Sequence, residues 1–141
     1  MKDQLNKYKI GIVVSDTYKE ITSAMLEVAK EHSKFLGADV VRIINVPGSF
    51  EVPLAVKTLF EKENVEGVVT LGAVIEGDTD HDTVVAQNAA RKIMDLSLEY
   101  KKPVGLGISG PKMTRNQALK RIDKFGKSTV EAVVKQIQRL Q

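Results

Sequence analysis

Short apolar runs alternate with helical patterns along the chain, and this alternation restricts the fold more than any other feature. Apolar runs typical of buried strands fall at residues 10–14, 40–46, 65–71 and 104–108. Apolar residues at helical spacing predict helices at residues 20–36, 52–61, 82–100, from Thr114 onward, and 128–140. This β-α-β-α-β-α-β-α order predicts an α/β fold, a three-layer α-β-α sandwich with a four-stranded parallel sheet in the middle.

Local residues predict where several of these helices begin and end. Gly37 follows the first helical pattern and is expected to end it. Thr114 with Gln117 three residues later is typical of a capping box. Gly126 is expected to interrupt the last helical region, so that the final helix covers residues 128–140.

Composition places the chain among ordinary globular proteins. Its 141 residues are expected to form a single domain, with 43% hydrophobic and 28% charged residues. The net charge of +3 comes from scattered basic residues, which argues against a nucleic-acid surface. The chain has no cysteine, which excludes disulfides, thiolate chemistry and cysteine metal sites. The polar start at residues 1–9 and the lack of an apolar stretch of about 20 residues favour a cytoplasmic protein without a membrane partner.

The loops that follow the four strands are expected to meet at one edge of the sheet. They cover residues 15–18, 47–51, 72–81 and 109–112. In parallel sheets this edge is where ligands bind, so all four loops are expected to reach one crevice. Since four strands also leave two open sheet edges, which are normally covered or paired, we expect the chain to associate with itself.

The loop at residues 72–81 carries most of the chemistry. It reads Gly72-Ala-Val-Ile-Glu-Gly-Asp-Thr-Asp-His81 and leads from a strand into a helix. Backbone N–H groups at the start of a helix suit a phosphate, and a histidine there can move protons near neutral pH. A solvated or helix-capping role for His81 is the alternative, but its position favours function. His32 is interpreted as a surface residue, and no second histidine stands near His81, which argues against zinc.

Other residues of these loops allow two interpretations each. Residues 77–79 could present N–H groups and a hydroxyl to an anion, or could belong to an acidic cluster that caps the helix. Asp78, Asp80 and Asp82 would repel a phosphate unless a cation compensates, and Arg121 is a candidate. Phe50 and Tyr18 could pack in the core or could flank a flat ligand.

Two long segments resemble the sequence motifs of the lumazine synthase family. Residues 72–81 are similar to the pattern G-x-V-I-x-G-x-T-x-H, and Pro47-Gly-Ser-Phe-Glu-Val-Pro53 is similar to PG-[AS]-[FW]-E-[IVL]-P. Further matches at residues 88–91 and 102–108 extend the resemblance over nearly the whole chain. Residues 108–117 look most like the archaeal branch of the family.

The resemblance implies a transferase of riboflavin biosynthesis that uses no metal or organic cofactor. It would condense 5-amino-6-(D-ribitylamino)uracil with 3,4-dihydroxy-2-butanone 4-phosphate to 6,7-dimethyl-8-(D-ribityl)lumazine, phosphate and water. His81 would be the catalytic acid–base residue, and Asp78, Thr79 and Arg121 would bind the butanone phosphate. The residues implied to bind the aminopyrimidine are Thr17, Tyr18, Ser49, Phe50, Glu51, Ala73, Val74, Ile75 and Leu106.

The family also implies a particular assembly. Its sites lie between subunits of a homopentamer, so Leu106 and Arg121 would come from a neighbouring subunit. In some members twelve pentamers form an icosahedral shell, and riboflavin synthase is a candidate partner. No nucleic-acid or membrane partner is implied.

The chain departs from the family pattern after the first strand. The family usually has Phe-Asn or Trp-Asn there, and this chain has Thr17-Tyr18. Either Tyr18 swings into the site from the adjacent position, or stacking on the pyrimidine is weakened by on the order of 1 kcal/mol. A somewhat altered substrate is also left open.

Two other functions compete with this assignment. The predicted sandwich is flavodoxin-like, and the loop at residues 15–17 prompts the hypothesis of a flavin-binding module, which gives His81 no role. A response-regulator-like domain would need a phosphorylatable aspartate at the end of the third strand, where this chain has residues 71–73, Leu-Gly-Ala. Both hypotheses are weaker than the synthase hypothesis.

Overall fold

The computed structural model describes residues 8–141, so most of the polar start considered above lies outside the described residues. The strands are β1 (Tyr8–Ser15), β2 (Ala38–Val46), β3 (Gly67–Ala73) and β4 (Val104–Ser109). The helices are α1 (Lys19–Phe35), α2 (Val52–Lys62), α3 (His81–Tyr100), α4 (Arg115–Lys120) and α5 (Ile122–Leu140). A short 3-10 helix at Ser49–Glu51 precedes α2.

The four strands form one parallel sheet in the order β2-β1-β3-β4. The central strands β1 and β3 are almost wholly buried, which explains why their sequences are continuous apolar runs rather than alternating ones. The predicted α/β sandwich is therefore confirmed.

The sheet separates two apolar cores. One core lies under α1 and α5 and includes Ile12, Met25 and Val130. The other lies under α2 and α3 and includes Leu59 and Ile93. Burial of side chains of this size stabilises the fold by about 1.5–3 kcal/mol each.

The predicted start of α4 is confirmed. Thr114 is the N-cap, its hydroxyl accepts from the Gln117 N–H at 3.1 Å, and the Gln117 side chain accepts from the Thr114 N–H at 2.9 Å. This capping box satisfies two N–H groups that the helix itself leaves unpaired. Gly37, with a φ of 80°, follows α1 as expected.

The prediction that Gly126 interrupts the last helical region is wrong. The helix α5 runs through Gly126, and the break lies at Arg121, between α4 and α5. A Cβ on Gly126 would lie 2.7 Å from Val28 Cγ1 and 3.2 Å from the Met25 carbonyl oxygen. The glycine therefore permits close contact between α1 and α5, which outweighs its low helix propensity.

The interpretation of His32 as a surface residue is also wrong. Its side chain is mostly buried, and its Nε2 lies 2.7 Å from Glu131 Oε2 on α5. Its ring stacks on Phe35, with 5.7 Å between the ring centroids. His32 is thus a contact between α1 and α5, and sits near the end of α1 that leads into β2.

No helix within residues 8–141 is both long and apolar enough to cross a membrane.

Candidate active site

Three of the four predicted loops line one cavity at the carboxyl edge of the sheet. The cavity has a volume of about 610 Å³. Thr17 and Tyr18 contribute from the loop after β1, and residues 48–51 contribute after β2. The third contribution runs from Ala73 at the end of β3 into the first turns of α3. The expectation of one shared crevice is right for these three loops.

Hydrogen bonds fix the first loop against the second. The Thr17 hydroxyl donates to the Pro47 carbonyl oxygen at 2.8 Å, and the Asp16 N–H donates to the Val46 carbonyl oxygen at 2.7 Å. These bonds hold the wall at Thr17 next to the 3-10 helix at Ser49–Glu51.

Tyr18 occupies an uncommon backbone conformation on this wall. It is the N-cap of α1 with a φ of 55° and a ψ of 57°, in the left-handed region that bulky residues rarely adopt. Its carbonyl oxygen accepts from the N–H groups of Ile21 and Thr22 at 2.9 and 3.1 Å. The side chain is 37% exposed and lines the cavity. Such strain is concentrated at functional sites.

Phe50 lies at the cavity rather than in the core. Its side chain is 63% exposed, although it follows the buried Ser49 directly. Of the two interpretations of Phe50, the structure therefore favours a ring that is free to flank a ligand. Glu51 also lines the cavity beside it.

The turn before α3 is open to solvent. Residues 76–81 are all exposed, and a Cβ on Gly77 would meet no atom within 4 Å. The Thr79 hydroxyl accepts from the His81 N–H at 3.3 Å, whereas the N-cap Asp80 makes no capping bond with its side chain. An acidic cluster that caps the helix is therefore not what the structure shows.

His81 is the first residue of α3 and lines the cavity. Within residues 8–141 its imidazole makes no hydrogen bond and no ion pair. Both ring nitrogens are therefore available to a ligand, as a proton donor or acceptor requires.

Asp82 is held at the start of α3 rather than exposed like Asp78 and Asp80. It is 7% exposed, and its Oδ2 accepts from the Lys112 N–H at 2.9 Å. The fourth loop therefore braces the start of α3 from outside the cavity. Two further bonds join this loop to the third loop, from the Val74 N–H to Ser109 and from the Glu76 N–H to Met113, both at 2.9 Å.

Three predicted site residues lie outside the cavity wall of the single chain. Asp78 is exposed within the third loop. Leu106 lies on the edge strand β4 and is 50% exposed. Arg121 is exposed at the junction of α4 and α5, its Nη1 donates to the Gln117 carbonyl oxygen at 3.4 Å, and no carboxylate of residues 8–141 pairs with it. The other predicted residues line the cavity: Thr17, Tyr18, Ser49, Phe50, Glu51, Ala73, Val74, Ile75, Thr79 and His81.

Sequence reasoning missed several residues of the wall. Val84 and Val85 lie three and four residues after His81, so they share its helix face and could have been found from helical spacing. Asp82 was considered only as a charge near the phosphate, and its bond to the Lys112 N–H could not be found because the two residues are distant in sequence. Over residues 8–141 no three His, Asp or Glu side chains are grouped in a way that could hold a metal ion.

The comparison with known protein families covers nearly all of the chain. Residues 7–141 match the family model described as 6,7-dimethyl-8-ribityllumazine synthase. The chain belongs to this lumazine synthase family. The resemblance identified from the sequence motifs is therefore confirmed.

Individual relatives within the lumazine synthase family are close in sequence and in length. The 6,7-dimethyl-8-ribityllumazine synthase of Methanococcus vannielii is 59% identical over 131 residues, which is 93% of each chain. That of Methanopyrus kandleri is 56% identical over 136 residues, or 96% of each chain. That of Archaeoglobus fulgidus is 55% identical over 136 residues, covering 96% of this chain and 94% of the relative. Nothing in these matches favours the flavin-binding alternative.

Proposed function

We propose that this chain condenses 5-amino-6-(D-ribitylamino)uracil with 3,4-dihydroxy-2-butanone 4-phosphate. The products are 6,7-dimethyl-8-(D-ribityl)lumazine, phosphate and water, as a step of riboflavin biosynthesis. One observation carries the proposal: a chain that matches the lumazine synthase family over residues 7–141 gathers His81 and both motif loops around one cavity. The proposed reaction uses no metal and no organic cofactor.

His81 is the proposed acid–base residue. Its exposed imidazole lines the cavity and has no hydrogen bond within residues 8–141, so it can accept and donate protons during imine formation, phosphate elimination and ring closure. Such transfers contribute roughly 10²–10⁴-fold to a rate. Holding the two substrates side by side supplies a further part of the acceleration.

The aminopyrimidine occupies the deeper end of the cavity in this proposal. Thr17, Tyr18 and Phe50 lie on its wall, and the backbone of Ser49 and Glu51 offers hydrogen bonds to the ring edge. Ala73, Val74 and Ile75 also line the cavity. Leu106 of a neighbouring subunit completes this end, which agrees with its exposure on an edge strand.

The butanone phosphate occupies the open end. Gly77, Thr79 and His81 lie there, and Asp78 contributes through its backbone N–H. A dianionic phosphate next to Asp78 and Asp80 needs a compensating cation. Arg121 of a neighbouring subunit supplies it, which accords with an arginine that is exposed and pairs with no carboxylate of residues 8–141.

Because the proposed site takes Leu106 and Arg121 from a neighbouring subunit, the proposed function requires an oligomer. We propose a cytoplasmic homopentamer of single-domain subunits. A dodecamer of pentamers and association with riboflavin synthase are the larger assemblies that the family resemblance implies. Support comes from the open sheet edge at β4 and from exposed apolar side chains such as Leu54, Met94 and Leu98 on α2 and α3. Light scattering measures the mass in solution and separates a pentamer from a shell; a monomer would contradict the shared site.

The activity itself is tested by supplying both substrates and following the absorption spectrum of the lumazine product. Purified wild-type chain is expected to form the product. Failure to form it would contradict the proposed reaction, and yellow purified protein with bound flavin would favour the flavin-binding alternative instead.

A further inference from the structure

Asp82 is buried without a charged partner. It is 7% exposed, and every other Asp, Glu, Lys and Arg of residues 8–141 is more exposed. Its carboxylate accepts one hydrogen bond, from the Lys112 backbone N–H, and no basic side chain of residues 8–141 pairs with it. Taking a carboxylate out of water without a cation costs free energy, so the burial of Asp82 calls for a physical reason.

The hydrogen bond of Asp82 connects the first turn of α3 to the fourth loop. The Lys112 N–H donates to Asp82 Oδ2 at 2.9 Å, and Lys112 itself has a left-handed backbone with a φ of 58°. The fourth loop is fixed to the third loop by bonds from the Val74 and Glu76 N–H groups. Those two bonds end at Glu76, whereas the bond of Asp82 lies beyond the exposed residues 77–81 and holds the helix itself.

The other side-chain contacts at the start of α3 are weak. The N-cap Asp80 makes no bond with its side chain. The Thr79 hydroxyl accepts from the His81 N–H at 3.3 Å, which is longer than the usual range of about 2.7–3.2 Å. Asp82 is the first buried residue of α3, and the next is Ala86. Asp82 is therefore the main side-chain anchor of this helix start.

The position of Asp82 also determines how His81 is presented. His81 directly precedes Asp82, and both residues line the cavity. Successive side chains of an α-helix are turned by about 100° around the helix axis. Holding Asp82 against the fourth loop therefore fixes the direction in which the His81 side chain leaves the helix. The exposed imidazole has no hydrogen bond of its own within residues 8–141 that would fix this direction.

We propose that Asp82 is a positioning residue for His81. Its bond to the Lys112 N–H fixes the first turn of α3 so that the imidazole faces the cavity. A hydrogen bond suits this purpose because it constrains direction as well as distance, which an apolar contact does not. Asp82 acts without contacting the substrate. The proposal rests on the proposed role of His81 and adds to it a residue that follows the motif at residues 72–81.

The kinetic test compares Asp82→Ala with Asp82→Asn. Asp82→Ala is expected to lower kcat about 10- to 100-fold, because small displacements of a catalytic group are costly. Both KM values stay near wild type. Asp82→Asn keeps an acceptor oxygen for the Lys112 N–H and is expected to keep kcat near wild type. A wild-type kcat in Asp82→Ala overturns the proposal, and an equal loss in both variants overturns the role of the bond.

Ser33→Ala is the control for loss of a buried hydrogen bond. It removes the 2.7 Å bond to the Ala29 carbonyl oxygen on α1, so it is expected to lower the Tm without lowering kcat. If Asp82→Ala does not fold, Asp82→Ser replaces it and carries the same expectation, because the serine side chain is one bond too short to reach the Lys112 N–H.

A double variant shows whether Asp82 acts through His81. In a chain that already carries His81→Ala, adding Asp82→Ala is expected to leave kcat unchanged, because the group that Asp82 positions is gone. A further loss as large as that of Asp82→Ala alone would show that Asp82 acts independently of His81, and would overturn the positioning role.

Mobility of the two imidazole rings gives a readout that needs no activity. The chain has two histidines, so ring ¹³C labelling gives signals for His32 and His81 alone, and NMR relaxation measures the motion of each ring. Asp82→Ala is expected to increase the motion of His81 and leave His32 unchanged, while Asp82→Asn changes neither. Unchanged motion of His81 in Asp82→Ala overturns the positioning role. A wild-type chain that forms no lumazine but shows the expected ring motions overturns the reaction and leaves the positioning of His81 supported.

Discussion

The two ends of the cavity differ in how they are built. At the deep end Ser15, Ser49 and Gly72 are buried, and a single added Cβ at Gly72 would approach to 2.6 Å of a neighbouring atom. At the open end residues 76–81 are exposed, and a Cβ on Gly77 would meet no atom within 4 Å. The deep end is therefore formed by close packing within one chain, while the open end has room that a ligand and a neighbouring subunit fill in the proposed function.

The origin of the difference is the sheet. Strands β1 and β3 end at the deep side, so their hydrogen-bonded pairing fixes the residues there. The turn before α3 leaves the sheet, and its contacts include the Thr79 hydroxyl, which accepts from the His81 N–H, and the Glu76 N–H, which donates to the Met113 carbonyl oxygen. We therefore expect substitutions at the open end to change catalysis without changing stability, and substitutions at the deep end to change stability as well.

The largest effect is expected for His81→Ala. Loss of the acid–base group should lower kcat about 10²–10⁴-fold, while the Tm stays unchanged because the side chain is exposed. The matched control is His32→Ala, which removes the bond to Glu131 and should lower the Tm without lowering kcat. Steady-state kinetics and thermal unfolding measure both; equal kcat in wild type and His81→Ala would remove His81 from its role.

Arg121→Ala is expected to have the next largest effect. Loss of a charged hydrogen bond to phosphate should raise the KM for the butanone phosphate about 10- to 100-fold, and the KM for the pyrimidine much less. Arg139→Ala, an exposed arginine in the last turn of α5, serves as the control. A larger change in the pyrimidine KM than in the phosphate KM would refute the placement of Arg121.

Mixing Arg121→Ala chains with His81→Ala chains shows whether the open end is shared between subunits. His81→Ala and Arg121→Ala chains, unfolded and refolded together, should regain activity, because some sites then combine a native His81 with a native Arg121. Each variant refolded alone should remain impaired. No recovery in the mixture would place both residues in one subunit's own site.

The third comparison uses two glycines of the same loop. Gly72→Ala places a methyl group against Ser49 Oγ and should lower the free energy of unfolding by about 1–3 kcal/mol. Gly77→Ala meets no atom within 4 Å and should leave the free energy of unfolding unchanged or slightly higher. Denaturant unfolding measures both values; equal destabilisation would show that the two ends are not built differently.

The smallest effect is expected for Tyr18→Asn. Asparagine tolerates the left-handed conformation that Tyr18 adopts, so the variant should gain about 0.5–1 kcal/mol in unfolding free energy. If the ring flanks the pyrimidine, the pyrimidine KM should rise in Tyr18→Asn and stay near wild type in Tyr18→Phe. A pyrimidine KM that is the same in all three chains would show that the ring makes no contact with the substrate.

The sequence predicted the features that depend on neighbouring residues. The alternation of strands and helices, the capping box at Thr114 and the motif loops are all local, and their arrangement in the structure follows from general rules of parallel sheets. It could not predict contacts between distant residues. Gly126 permits a close contact with Val28, and His32 contacts Glu131, and neither partner is visible from the local pattern.

The candidate site also contains features that the sequence predicted and features that it could not predict. Residues in the two motifs were found by their order along the chain, and helical spacing would have added Val84 and Val85. The close packing of Ser15 and Ser49 around Gly72 depends on the pairing of β1 with β3 and on the absence of a side chain at residue 72. The placement of Leu106 and Arg121 depends on contacts beyond a single chain and stays a prediction.

The position of Arg121 between α4 and α5 limits how far its removal can weaken the attraction of phosphate to this site. Arg121 is the N-cap of α5, a helix of 19 residues, and peptide dipoles of such a helix sum to roughly half a positive charge at this end. The acid in the first turn, Asp123, is already paired with Lys127 at 3.3 Å. An anion drawn to Arg121 therefore also experiences the positive end of a helix macrodipole, and Arg121→Ala is expected to retain measurable attraction for phosphate.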